Sequence, residues 1–292
     1  MNIILSKRLQ AIAGMVPTGS VPADIGTDHG YIPIFLVQKG TVSHALAMDV
    51  RPGPLERARE HIESCGLSEK ITVRLSDGLD HLDPGEADTL IIAGMGGALI
   101  ERILSLGKEK GKLEDIRCII LGAQSELPRV RSWILANGFS FDDEEMVEED
   151  GKYYPIIRAV HDGGSVSDGG PVPKSGFGSA GSPDSGEDFV SDAACCSGKD
   201  CVSDAARGSG EDCVSGKGQI LREVLLEYGP VLLKKRHPVL LEYLLREERL
   251  CGKIRDQILA NGTSDANACR LEEIRARSER IRVAKDMIEQ AL

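Results

Sequence analysis

The chain has 292 residues, of which 41% are hydrophobic and only 4% aromatic, and a formal net charge of −11. That length holds one large domain or two ordinary ones with a substantial core. No apolar run approaches the roughly 20 residues of a membrane helix, and the net charge on its face argues against nucleic acid.

The charge is uneven along the chain. Residues 1–161 carry 17 basic and 24 acidic side chains, residues 162–218 carry 4 and 10, and residues 219–292 carry 14 and 12. A polyanion would therefore be attracted only by the last part. The N-terminus, MNIILSKRLQAIAGMV, lacks the basic-then-apolar order of a secretory signal. A soluble, cytoplasmic protein is expected, a monomer or weak dimer without a membrane partner. The eight cysteines do not form a disulfide framework. Cys65, Cys118, Cys251 and Cys269 are scattered, while Cys195, Cys196, Cys201 and Cys213 lie in low-complexity sequence without a CxxC pair. They read as reduced bystander thiols, with zinc the lesser alternative and no metal site expected.

Residues 2–16 have apolar positions Leu5, Leu9, Ile12 and Ala13 at helical spacing, stopped by Pro17. Val21–Ile25 is a short strand that breaks at Gly26 into the turn Thr27-Asp28-His29-Gly30 before a helix over Tyr31–Lys39. A strand, glycine turn and helix start is where parallel α/β folds hold a nucleotide-like ligand. The turn is not G-x-G-x-x-G, and Asp28 would repel a pyrophosphate. The ligand is therefore read as nucleoside-like without phosphate here, a description that S-adenosylmethionine fits.

Ser43–Asp49 is a second strand ending on an acid, and Arg51-Pro52 starts a helix to Ser64. Lys70–Leu75 is a third strand running into Asp77-Gly78, and Asp88–Ala93 a fourth that breaks at Gly94-Met95-Gly96-Gly97. A helix follows to Ser105, then a strand over Arg117–Leu121, a helix over Glu126–Asn137, and a hairpin of Phe139–Glu149 with Tyr153–Val160. The alternation predicts a Rossmann-like α/β domain, a mostly parallel sheet covered on both faces with a terminal hairpin.

Residues 162–218 are rich in Gly, Ser, Asp and Pro and carry a 12-residue repeat: SGEDFVSDAACC from Ser185, SGKDCVSDAARG from Ser197 and SGEDCVSGKG from Ser209. Each unit offers a core only Val and a Phe or Cys. That cannot offset roughly 1–2 kcal/mol of backbone entropy per ordered residue, so a disordered insertion is expected.

Residues 219–292 read as helical. Leu240, Leu244, Cys251, Ile254 and Ile258 form one apolar seam, and Leu271, Ile274, Ile281, Ile288 and Leu292 another, joined through NGTSDAN. Two such helices predict an antiparallel coiled-coil hairpin. The second contains Arg270, Arg275, Arg277, Arg280 and Arg282. These form either a solvated face paired with glutamates or a basic edge for a nucleic-acid backbone.

Four strand ends point at one crevice. The turn at Gly26 lets backbone approach the amino-acid half of the ligand, and Asp24 or Asp28 can receive its ammonium. Asp49 is placed for both ribose hydroxyls, while Asp77 can accept from an adenine amine with Gly78 offering its N–H. Amino-group methyltransferases commonly carry D/N-P-P-Y/F at the fourth strand end. Ala93-Gly94-Met95-Gly96-Gly97 has neither that acceptor nor an aromatic and offers close backbone approach and N–H donors instead. That suits a nucleophile which is already a lone pair, such as a ring nitrogen, attacking in line without a general base.

LSKRL at 5–9, DIGTDHGYIP at 24–33, DGL at 77–79, IAGMGG at 92–97, Trp133 with NGF at 137–139, EEDGKYY at 148–154 and GPVLLKKRHP at 229–238 together resemble the TrmK family. These are bacterial tRNA methyltransferases that act on N1 of adenine 22. The resemblance covers residues 1–161 and 219–292; the 162–218 insertion departs from it. It implies a cofactor pocket lined by Asp24, Gly26, Thr27, Asp28, Tyr31, Asp49, Asp77, Gly78, Ala93 and Gly94. Met95, Gly96 and the Asp28-His29 pair would face the target adenine. Lys7 and Arg8 would contact tRNA near the mouth, and Arg275 and Arg282 would do so from the coiled coil.

His29 is read as packing or hydrogen bonding, because adenine N1 has no proton to lose. Asp28, able to stabilise a cationic product, is the candidate catalytic residue. Methyl transfer to another RNA or to a small molecule is one alternative, and a non-catalytic cofactor- or RNA-binding adaptor is another.

Overall fold

A computed structural model of the chain describes residues 3–161, 212–260 and 265–289, with the side chains of 212–217 excepted. Seven strands form one sheet in the order β3-β2-β1-β4-β5-β7-β6: β1 Pro22–Ile25, β2 Ala45–Asp49, β3 Ile71–Leu75, β4 Thr89–Met95, β5 Cys118–Ala123, β6 Phe139–Glu149 and β7 Lys152–His161. The first five pair parallel with one another, and β7 pairs antiparallel with both β5 and β6. The central strands read as unbroken apolar runs because helices cover both faces. On one side Leu46, Met48, Leu90 and Ile92 pack beneath Ile100, Leu104 and Trp133. On the other, Ala47, Ile91 and Ile120 pack beneath Ile12, Ile34 and Leu36.

Helices α2 Tyr31–Lys39 and α3 Pro52–Ser64 fall where their sequence signals put them, α3 with proline in its first turn. The first helix is shorter than the apolar spacing predicts. α1 spans Lys7–Gly14, because the Ser6 side chain accepts from Leu9 N–H and caps it there. The residues before it lie outside the helix, Ile3 N–H donating to Gln38 Oε1 at 3.2 Å while Leu5 enters the core. Strand β4 runs two residues past Ala93, with a bulge between Ala93 and Met95. α4 spans Gly97–Glu109, a turn longer than expected, and α5 spans Leu127–Ala136.

Four helices complete the described chain: α6 Asp212–Tyr228, α7 Pro230–Lys234, α8 Pro238–Ala260 and α9 Asp265–Glu289. The expected disordered insertion falls mostly outside the described residues, and its last seven residues belong to α6. α8 and α9 pair along Leu240, Leu244, Cys251, Ile281, Ala284 and Ile288. Their shared core also takes in Val224 and Tyr228 of α6, Leu232 and Leu233 of α7, and Met146 of β6. The two-helix hairpin expected from the apolar seams is therefore built into a larger helical cluster seated on the terminal strands.

Candidate functional site

The carboxyl ends of β1, β2, β3 and β4 open on one cleft of about 600 Å³. Its described lining includes Asp24, Gly26, Thr27, Asp28, His29 and Tyr31 from the first turn and helix, and Asp49, Asp77 and Gly78 from the next two strand ends. Ala93, Gly94 and Met95 follow at β4, and Arg8 closes the mouth. Parallel strands that all end on the same side put these sequence-distant residues within one crevice.

Asp24 is buried, and its Oδ2 accepts from Thr27 Oγ1 at 2.7 Å. Burial pushes its carboxyl up from 3.8 to about 7; the Thr27 hydrogen bond opposes that shift and the nearby Asp49 charge adds to it. No cationic side chain among the described residues pairs with Asp24. A buried acid lacking a cation is a ready receptor for a ligand ammonium. Asp49 is buried too, and its carboxylate is aimed by two backbone donors, Arg51 N–H at 2.9 Å and Asp28 N–H at 3.3 Å. These donors fix a carboxylate at the edge of the crevice. Val50, Leu99 and Ile103 supply apolar lining beside Asp77 and Gly78, a slot whose chemistry suits a flat heterocycle.

Asp28 is half-exposed and lies in the left-handed region with φ 52°. Its carboxylate accepts from Arg57 Nη2 at 3.1 Å and lies 3.5 Å from His29 Nε2. His29, Tyr31 and His61 cluster with nearly parallel rings, centroids 5.1–5.6 Å apart. His61 Nδ1 donates to His29 O at 3.0 Å, and His29 Nδ1 is buried without a hydrogen-bond partner. The histidine is thus held from two sides as a wall of the cleft.

The glycine-rich turn differs from its sequence reading. Gly97 N–H donates to Ser125 O at 3.1 Å, and Ala98 N–H donates to Glu126 Oε2 at 3.0 Å. The first donors of α4 are therefore taken by the segment after β5, not offered to a ligand. A Cβ on Gly97 would lie 2.6 Å from Ser125 O, so the glycine exists for that close approach. Gly96 is the N-cap residue of α4 and does not line the cleft.

Arg8 reaches the mouth with its guanidinium over the Tyr154 ring, 4.9 Å from the centroid, while Lys7 is exposed and outside the lining. Arg275 and Arg282 lie on α9, outside the cleft lining, and pair along their own helix with Glu272 and with Glu279 and Asp286. Arg277 and Arg280 pair with Glu247 and Glu227. Four of the five arginines of this helix are thus paired with acids, Arg270 being the exception among the described residues. Sequence reasoning missed Arg51, Ser76 and Gln124, as well as the apolar lining residues Leu9, Val50, Leu99 and Ile103. Val50 and Ser76 adjoin a strand-end acid and Arg51 lies two residues from one, a signal that was available; Gln124 had none.

Among the described residues no group of three His, Cys, Asp or Glu could hold a metal, and no helix is long and apolar enough to cross a membrane.

The model of a methyltransferase domain family matches residues 5–157. The tRNA (adenine(22)-N(1))-methyltransferase of Bacillus subtilis is 41% identical over 172 residues, 56% of this chain and 71% of that protein. The crystal structure of the B. subtilis M1A22 tRNA methyltransferase TrmK superposes with a TM-score of 0.69 at 29% identity, covering 97% of this chain and 99% of that one. Streptococcus pneumoniae Sp1610, solved in complex with S-adenosyl-L-methionine, superposes with a TM-score of 0.66 at 25% identity, covering 98% and 100%. With a parallel sheet, a terminal hairpin and acids at three strand ends, the chain belongs to the tRNA (adenine(22)-N(1))-methyltransferase family of methyltransferase-domain proteins.

Proposed function

We propose that the chain transfers a methyl group from S-adenosyl-L-methionine to N1 of adenine 22 in tRNA. The observation that carries this reading is the line of acids along one cleft: buried Asp24 without a cation, Asp49 held by two N–H donors, and Asp77 beside an apolar slot. In it Asp24 receives the ammonium, Asp49 the ribose hydroxyls and Asp77 the adenine amine. Gly26, Thr27, Tyr31, Gly78, Ala93 and Gly94 shape the remaining wall. The complex of Sp1610 with S-adenosyl-L-methionine and the named activity of the B. subtilis relative support the assignment.

When bound, the cofactor supplies an electrophilic methyl on a sulfonium. The chain's own residues hold the acceptor in line with it. Adenine N1 presents a lone pair, so no side chain has to remove a proton. Asp28, negatively charged at the mouth, offsets the charge that develops on the base; His29 and Met95 border it. Arg8, stacked on Tyr154, contacts the tRNA backbone.

The domain reading is a methyltransferase domain over 1–161, an insertion over 162–218 and a helical domain over 219–292 whose α8–α9 hairpin acts as a coiled coil beside the RNA. Lys7 adds to the basic mouth. Arg275 and Arg282 would engage phosphates only by exchanging their present acidic partners, which makes them weaker contacts than Arg8. A cytoplasmic monomer or weak dimer fits this role.

The test is to incubate the full chain with methyl-labelled cofactor and unmodified tRNA, then map the product by primer extension. A stop at adenine 22 is expected. Label at another adenine would reassign the substrate, and cofactor binding without label transfer would favour a non-catalytic adaptor.

A further inference from the structure

Gln124 stands one residue beyond β5 and is the only neutral amide among the described residues lining the cleft. Its backbone N–H donates to Met95 O at 2.9 Å, which pins it beside the exit of β4, the end of the cleft assigned above to the acceptor. The segment that carries it is fixed again by the bonds from Gly97 and Ala98 to Ser125 and Glu126. The two aliphatic hydroxyls of the lining are engaged: Thr27 Oγ1 donates to Asp24, and Ser76 Oγ donates to Gly78 O at 3.0 Å. Among the described residues the Gln124 amide has no hydrogen-bond partner. Gln124 is exposed at the cleft, so its amide, on a fixed backbone, is free to meet a base edge.

Adenine offers a donor at N6 and an acceptor at N7, the pair that a side-chain amide satisfies with two hydrogen bonds. That edge remains available when N1 faces the methyl donor. Guanine presents acceptors at both O6 and N7, so the same amide satisfies only one of them. We infer that Gln124 selects adenine at the methylated position, its Oε1 accepting from N6 and its Nε2 donating to N7. The inference rests on the proposed function and deepens it by naming the residue that reads the base.

The experiment compares ligated tRNAs carrying adenosine or 7-deazaadenosine at position 22, a change that removes the N7 acceptor and leaves N1 intact. For the wild-type chain, kcat/KM falls on the deaza substrate. Gln124→Ala lowers kcat/KM on normal tRNA about 5- to 150-fold, the range for one bidentate base contact, and loses little more on the deaza substrate. Gln124→Glu, which lacks the N7 donor, favours the deaza substrate over adenosine. Cofactor affinity is unchanged in both variants. Equal wild-type activity on the two tRNAs, or an equal deaza penalty in wild type and Gln124→Ala, overturns the inference while leaving the function intact. No methylation of either tRNA by the wild-type chain overturns both.

Discussion

Arg131 Nε donates to Glu144 Oε1 at 2.8 Å, and neither side chain is exposed at all. The two residues belong to α5 and β6, yet their remaining bonds reach the helical cluster. Arg131 Nη1 donates to the carbonyls of Leu226 and Glu227, and Glu144 Oε2 accepts from Val231 N–H at 2.8 Å and Leu232 N–H at 3.3 Å. The carboxylate thereby caps α7. Lys235 and His237 pair with the flanking Asp143 and Glu145, so three successive acids of one strand hold the helical cluster.

Removing one half of this pair leaves a buried charge unmatched. Glu144→Ala is expected to cost about 3–5 kcal/mol, measured by urea denaturation. The double variant Arg131→Met/Glu144→Leu should recover part of that loss, though the Val231 and Leu232 N–H groups still lack their acceptor. A double variant no better than the single one assigns the loss to those N–H groups instead. Gly229→Ala should also destabilise, since φ is +94° and a Cβ would lie 2.5 Å from Glu144 Oε2.

The raised carboxyl of Asp24 makes ligand binding depend on pH. Folded Asp24 keeps its proton up to about pH 7, against 3.8 for an ordinary aspartate, so the folded state binds more protons between those values. Its contribution to stability is full below 3.8 and is lost as pH rises through about 7. A ligand ammonium favours the carboxylate and expels the proton. Affinity for S-adenosyl-L-methionine should therefore strengthen with rising pH, by up to about tenfold per unit below 7, and then level off. Calorimetry in buffers of different ionisation enthalpy counts the released proton. Asp24→Asn should bind weakly with a flat profile, and a flat profile in the wild type would remove Asp24 from the ammonium site.

Asp28 separates charge from backbone geometry. Asp28→Ala should lower the single-turnover rate far more than it weakens cofactor binding. Asp28→Gly, free to adopt φ 52° without strain, should fold at least as well and be equally slow. Unchanged single-turnover rates in both would leave Asp28 a turn residue tied to Arg57.

Gly97→Ala tests the contact between the β4 exit and the β5–α5 segment. Its Cβ would meet backbone oxygens of Ser125 and Glu126 at 2.6 and 2.9 Å, and backbone cannot step aside as a flexible side chain can. Displacement of Gln124 should follow, with at least a tenfold fall in kcat/KM for tRNA and little change in cofactor affinity, read by steady-state kinetics and calorimetry. Full activity would make that contact dispensable.

The sheet, the strand-end acids and the terminal hairpin were legible because apolar runs and glycine turns are local signals. Asp24, Asp49 and Asp77 group from the sequence alone, since parallel strands must all end on one side. The capping of α4 by Glu126 was not legible; it joins residues 28 apart through a loop whose path no local pattern encodes. The arginines of α9 were equally ambiguous, because a paired face and a free basic edge share one composition. The acidic run of Asp143, Glu144 and Glu145 read as an ordinary hairpin surface, and its partners from α7 onward lie across the undescribed stretch of chain.

That run of acids has a mechanical consequence. α8 has 23 residues, a rod about 35 Å long, rooted at Pro238 next to the His237–Glu145 contact. Each degree of play at the root would sweep its far end by roughly 0.6 Å, by the geometry of a rod that long. A fulcrum made of surface charges would blur the tip over several ångströms. Sunk into the protein, the Arg131–Glu144 pair instead anchors the end of α6 and the start of α7, the short helix that leads into the root of α8. A load at the tip would then be felt at the terminal strands of the catalytic sheet.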